Sequence, residues 1–180
     1  MGMTHEDFAR AQAYWTERDA RPDAKRMPPG ELRSAVEAFA RSHRVGALAT
    51  GAGDFVRCTP LEYDFAQGAF WIFTEGGLKF RGLEANPNVC LAVFDTDLAT
   101  GSLAGMQVSG VARVVDPDDA AYAAAARRKG LDPEALRGLP MRLHLLRVEP
   151  RSVDLLDASL RAQGYDARQH LEVAAGAPDA

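Results

Sequence analysis

The sequence predicts a mainly β protein of the α+β class, built on one antiparallel sheet with helices at its periphery. Three observations carry this. Short runs rich in Val, Phe, Tyr, Trp and Thr recur from Val45 onward, separated by Gly, Asp and Asn. The connections between neighbouring runs are only a few residues long, the length of hairpin turns and too short for helical crossovers. A chain of 180 residues, 47% apolar, is long enough for one real core and too short for two comfortable ones.

Taken in chain order, the first forty residues read as two helices, about His5 to Asp19 and Glu31 to Ser42, with a break through Arg21 to Pro29. In the second, Leu32, Val36, Phe39 and Ala40 recur at helical spacing beside Arg33, Glu37 and Arg41, so an apolar stripe is expected to dock on the sheet. The runs VGALAT, FVRCTPLEYDF, AFWIFT, VCLAVFD and MQVSGVARVV read as strands, with turns at Gly51 to Asp54 and Ala66 to Gly68. EGGLKFRGLEANPN suits a short helix that begins at two glycines and ends at Asn86 and Pro87. Asp116 and Pro117 open an Ala-rich helix that Gly130 stops, and DPEALRGL suits one more short helix. MRLHLLRVEP, from Met141, returns to a strand pattern, with a last strand proposed at Ser152 to Leu156. From Asp157 the chain is polar, and its AAGAPDA end is expected to be disordered. The domain organisation expected is a helical extension over 1–30, a core domain over 31–157 and a tail over 158–180.

Composition excludes several function classes. Cys58 and Cys90 are the only cysteines, at a spacing that makes neither a disulfide framework nor a metal site, and both are expected to be buried, inert thiols in a reducing compartment. No apolar run approaches the roughly 20 residues that cross a bilayer, and the N-terminus has no signal-like apolar core, so a cytoplasmic protein without a membrane partner is expected. A formal net charge of -4 without a Lys/Arg run argues against nucleic acid as a partner. The four histidines are scattered, and no metal is assigned. No Ser-His-Asp set or carboxylate pair supports hydrolysis; Asp116, Asp118 and Asp119 read as helix-start acids.

The informative stretch is RCTPLEY, IFTEGGLKF and GMQVSG, which places a cation, small hydroxyls, a glycine turn and a second cation in successive elements. The helix start near Gly77 favours an anion, Gly76 and Gly77 let backbone approach it, and Lys79 is a cation where the helix dipole disfavours one. A phosphate resolves that conflict. Arg57 offers a planar donor fork suited to phosphate oxygens, with Glu62 and Asp64 as alternative partners.

On these residues, from about Glu31 to Asp157, the chain resembles the pyridoxamine 5'-phosphate oxidase-like family of flavin mononucleotide-binding split β-barrels. Arg57, Cys58, Thr59 and Pro60 match its Arg-led strand; Phe73 and Thr74 match the strand ending in Thr; Gly77, Leu78 and Lys79 match the triplet that opens the next helix; Gln107 and Val108 match the Gln-Val beside the flavin ring. The resemblance implies a six-stranded antiparallel split β-barrel, a homodimer with FMN at the subunit interface, and cofactor contacts from Arg57, Cys58, Thr59, Phe73, Thr74, Gly77, Leu78, Lys79 and Gln107. Where the oxidase has Ser-Arg before its Lys, this chain has Gly77 and Leu78, with Arg81 as the candidate substitute. The oxidase's C-terminal Arg-x-His signature after a Trp has only a superficial counterpart in Ala167 to His170, which argues against pyridoxamine phosphate oxidation, and the EGGLKFRGLEANPNV segment resembles an uncharacterised subgroup more closely than the oxidase itself.

The function expected is therefore a flavin-dependent oxidoreductase acting on a small molecule, with no catalytic side chain assigned because the flavin carries the chemistry. Alternatives are a haem-binding or haem-degrading split barrel using His170 or His144, a non-catalytic flavin-binding module, and a deazaflavin cofactor. Trp71, Phe70 and Phe73 are expected in the core, and Gln107 equally suits a half-exposed strand.

Overall fold

A computed structural model of the protein describes residues 2–95 and 103–173. Helix α1 (His5–Asp19) opens with a capping box in which Thr4 and Asp7 satisfy each other's backbone amides, yet it buries no residue. Helix α2 (Pro29–Ser42) starts with Pro at its first turn and buries Leu32, Val36 and Ala40, the stripe expected from the sequence.

The strands are β1 (Val45–Ala52), β2 (Phe55–Glu62), β3 (Asp64–Ala66), β4 (Ala69–Thr74), β5 (Asn88–Phe94), β6 (Ala104–Val115), β7 (His144–Asp157) and β8 (Arg168–Glu172). They form one antiparallel sheet in the order β2-β1-β5-β6-β7-β4-β3, with β8 also paired to β7, curled into a half-barrel. Ala52 faces Phe55 and Ala66 faces Ala69, so both early hairpins close through the two-residue turns that the sequence signals. Helix α3 (Lys79–Ala85) lies between β4 and β5; α4 (Ala120–Arg128) and α5 (Pro133–Arg137) lie between β6 and β7.

Eight strands replace the six expected, for two physical reasons. The run FVRCTPLEYDF divides at Tyr63, whose hydroxyl donates to the Ala40 carbonyl at 2.9 Å and whose amide donates to Arg44 at 2.8 Å. There the chain leaves the β1 ladder for the β4 ladder. The other extra strand is β8, in the polar segment after Asp157. Its inward alternation of Ala167, Gln169 and Leu171 is masked by a polar residue at a core position. Gln169 is 3% exposed and fully bonded: its Oε1 accepts from the Met27 amide at 2.9 Å, and its Nε2 donates to the carbonyls of Lys25 and Asp166 at 3.1 and 2.7 Å. Residues 174–180, the AAGAPDA end, lie outside the described residues.

The two strand patterns expected around Met141 and Ser152 are one strand, β7, whose first half pairs β4 and whose second half pairs β8. Pro150, which donates no amide, is accommodated where the register with β6 shifts at Ser109/Gly110. Inside the curl, Leu48, Phe70, Ile72, Leu91, Val93, Val108, Leu146 and Val148 form the main core under the α2 stripe. Trp71 is buried with Tyr122, Ala125 and Leu145, and Phe73 packs against that second cluster, as expected of core aromatics. The thiols differ from expectation: Cys58 is exposed and Cys90 half-buried. Both lie on the face turned away from the core, since Leu48 and Leu91 alternate with their neighbour positions Ala49 and Cys90. No helix among the described residues is long and apolar enough to cross a membrane.

Candidate functional site

The site assembles where α3 lies over the ends of β1 and β2. Gly82 makes this approach possible, because a Cβ there would stand 3.1 Å from both the Thr50 side chain and the Gly51 amide. Arg57 is paired across the ladder with Thr50, and both project to the inner side of the sheet, as does Thr59, paired with inward Leu48. Thr50 is buried and its hydroxyl has no hydrogen-bond partner. The sequence offers no signal for it, since a Thr in a strand is ordinary.

Lys79 is the first residue of α3 and only 4% exposed. Its ammonium folds back to donate to the Gly76 carbonyl. Gly76 and Gly77 have φ of 125° and 104°, a backbone that L side chains rarely adopt, so the loop beneath the ammonium depends on glycine. Thr74, buried at the end of β4, meets this loop at 3.4 Å from Gly76. Burial, followed by the positive charge of Arg57, holds the Lys79 pKa below its ordinary value of 10.5. The two cations therefore share one electrostatic environment. Neither candidate carboxylate relieves it: Asp64 pairs with Arg128 at 3.2 Å and Glu62 with Lys129 at 3.0 Å. Among the described residues no carboxylate pairs with Arg57 or Lys79.

Arg57, Thr59, Thr74, Gly77 and Lys79 are thus placed at one end of the half-barrel. Cys58, Phe73 and Leu78 adjoin these residues, but their side chains are turned to the outer face, the core and solvent, and Gln107 lies apart. Leu78 is 59% exposed, Cys58 points to the outer face, and Phe73 makes an edge contact with Tyr122 at 5.4 Å, a packing role. Gln107 pairs with Ala92 and, through Ala47, lies in one cross-strand row with Pro60. It is exposed on the outer face, three strands and roughly 14 Å from β2. Within one chain it does not meet Arg57. Arg81 stacks over Phe55 at 4.8 Å instead of joining the cluster. The helix itself has only seven residues and no side-chain cap, so the two cations and the glycine loop, more than a helix dipole, define the site.

A second charged cluster occupies the outer face. Asp154 Oδ1 accepts from Arg168 at 2.9 Å and meets His170 Nδ1 at 3.0 Å, while His170 Nε2 meets Glu172 at 2.9 Å. The Glu172 contact, then the Asp154 contact, raises the His170 pKa above 6.5. Arg168 lies over the Trp15 ring at 4.3 Å. His144 packs against Phe80 at 5.0 Å. Both nitrogens of His170 are therefore engaged, and no group of three or more ligand-type residues among those described is arranged to hold a metal. Trp15, Asp154 and Arg168 were not legible as a group, because they come from three distant segments.

No curated protein matches the chain. Among solved structures, an FAD-binding protein from Mycobacterium smegmatis is 25% identical, with a TM-score of 0.51 over 67% of this chain and 91% of that one. A conserved hypothetical protein from Mycobacterium tuberculosis is 22% identical, with a TM-score of 0.58 over 88% and 97%. HutZ, a haem storage protein from Vibrio cholerae, is 18% identical, with a TM-score of 0.54 over 66% and 89%. The last two likenesses concern the fold alone. The sequence profile described as pyridoxamine 5'-phosphate oxidase matches residues 32–157, from the α2 stripe to the end of β7. The chain belongs to the pyridoxamine 5'-phosphate oxidase family.

Proposed function

We propose that the protein binds flavin mononucleotide non-covalently as a homodimer and serves as a flavin-dependent oxidoreductase for a small substrate in the cytoplasm. One observation carries the reading: Arg57 and buried Lys79 influence each other above a glycine loop, and no carboxylate among the described residues forms an ion pair with either. Holding two cations together is unfavourable unless an anion joins them. A terminal phosphate fits that donor set, with the Arg57 fork and the Lys79 ammonium making charge-assisted bonds, and the Thr74 hydroxyl and the backbone at Gly76 and Gly77 lining its approach. The FAD-binding relative from Mycobacterium smegmatis supports a flavin as the ligand class.

When bound, the flavin supplies the hydride or electron transfer, and the chain supplies position and electrostatics. Gln107 lies on the face opposite Arg57, so in this reading its contact with the ring crosses a two-fold interface and comes from the second subunit. The small outer residues Ala47, Ala49 and Ala92 leave room for that close approach. Haem ligation by His170 would require breaking one of its two carboxylate contacts.

The test is direct. Protein purified without added cofactor is expected to carry a flavin absorption spectrum, and mass spectrometry of the released cofactor is expected to return FMN, not FAD or a deazaflavin. Colourless protein that gains no flavin signal on titration overturns the proposal. Multiple turnovers with a reduced nicotinamide donor and an acceptor would separate an enzyme from a binding module, and sedimentation would report the dimer.

A further inference from the structure

The glycine loop beneath Lys79 presents the wrong edge of one peptide to an anion. The buried Lys79 ammonium donates to the Gly76 carbonyl, and the Thr74 hydroxyl donates to the same oxygen at 3.4 Å. All described peptides are trans, so the C=O of Gly76 and the N-H of Gly77 point in opposite directions. The Gly77 N-H is therefore turned away from the ammonium, and among the described residues it has no hydrogen-bond partner. A carbonyl oxygen offers an anion no donor, whereas the N-H on the other edge of the same peptide does.

That peptide is held on both flanks and able to turn between them. The Gly76 N-H donates to the Thr74 hydroxyl at 3.4 Å, and the Gly77 carbonyl accepts from the Phe80 amide at 3.1 Å. A half-turn of the peptide takes φ of Gly77 from 104° to about -76°, a value open to every residue, while Gly76 keeps its φ of 125°. Packing does not single out either glycine. A Cβ on Gly76 would meet nothing within 4 Å, and one on Gly77 would meet only the Lys79 Nζ at 3.6 Å. What holds the carbonyl in place is the ammonium, since turning it away without a replacement strips a buried charge of its acceptor. A phosphate oxygen is such a replacement.

We propose that the Gly76–Gly77 peptide is a ligand-driven switch: its carbonyl stands in for the phosphate in the empty site, and phosphate binding turns it over, so that Lys79 and Thr74 bond phosphate oxygens and the Gly77 N-H joins them. The inference rests on the phosphate site proposed above. It adds that the ligand-free loop is not the binding-competent one, so the apparent affinity is reduced by the fraction of molecules already turned.

The two glycines separate the states. Gly77→Ala strains only the ligand-free loop, because only there is its φ positive, and so raises the turned fraction. It is expected to tighten FMN about tenfold in a fluorescence titration of flavin-free protein. Gly76→Ala carries its strain in both states and is expected to give no tightening. In the parent, inorganic phosphate is expected to move the Gly77 amide proton resonance downfield, the mark of a new hydrogen bond to an anion. FMN affinity in Gly77→Ala equal to or below that of the parent, or a Gly77 resonance unmoved by saturating phosphate, overturns the switch. FMN binding by the parent then still supports the flavin reading. Phosphate that moves the resonance in a protein that binds no FMN keeps the switch and removes the flavin, and a parent that binds neither overturns both.

Discussion

The two charged clusters of this molecule are built on opposite principles. On the inner side, no carboxylate among the described residues forms an ion pair with Arg57 or Lys79, and burial, followed by the charge of Arg57, lowers the lysine's pKa. On the outer side, every charge has its partner: Arg168 and His170 share Asp154, and His170 also meets Glu172. A paired cluster is accounted for by its contribution to the fold. An unpaired one is a cost to the fold, and that cost points to a ligand. Removing charges should therefore harm binding on one side and stability on the other.

The largest effect expected is on the inner side. Arg57→Ala combined with Lys79→Ala should weaken flavin binding by roughly 3–6 kcal/mol, at about 1.5–3 for each charge-assisted bond. Fluorescence titration of the flavin against the double variant measures it. Retained affinity would break the comparison, because the unpaired cations would then have no ligand to answer for them.

Next in size is Asp154→Ala on the outer side. It strands Arg168 and His170 together and should cost about 1–3 kcal/mol of stability, read from the urea midpoint. The inner counterpart has the opposite sign. Because the folded-state pKa of Lys79 lies below 10.5, the unfolded chain binds more protons between those values, and stability rises with pH across that window. Below the folded pKa the whole penalty is present. Lys79→Met, which keeps the stem beside Phe80, should therefore stabilise the flavin-free protein at neutral pH by about 1 kcal/mol while impairing flavin binding. A lower urea midpoint in Lys79→Met would show that the bond to Gly76 matters more than the buried charge.

Legibility followed the same division. The inner site could be read from residue types, because a glycine pair beside Lys79 and an Arg on the neighbouring strand constrain chemistry within short segments. The helices and hairpin turns were legible for a similar reason: the α2 stripe and the short turn segments between β runs are local patterns. What escaped was assembled from distant segments. β8 was hidden because Gln169 holds a core position whose hydrogen bonds come from Met27 and Lys25, more than 140 residues away. The face on which Gln107 lies depends on the register of β6 with β5 and β7, which its neighbours in sequence do not specify.

The smallest effect expected is a pH dependence confined to the outer cluster. His170 gains its raised pKa from Glu172 first and Asp154 second, so its charged form is the one that the folded state favours. A raised folded-state pKa means that the folded protein binds the extra proton, and the stabilisation is fully present below pH 6.5. It is lost as pH rises through the folded value. The side chain is 34% exposed, so solvent screening holds the contribution below about 1 kcal/mol. His170→Gln should lower the urea midpoint relative to the parent in acid and match it in mild alkali, with no change in flavin affinity at either pH. A difference that grows toward alkali would mean that His170 works as a neutral hydrogen-bonding ring, and the outer cluster would no longer count as fully paired.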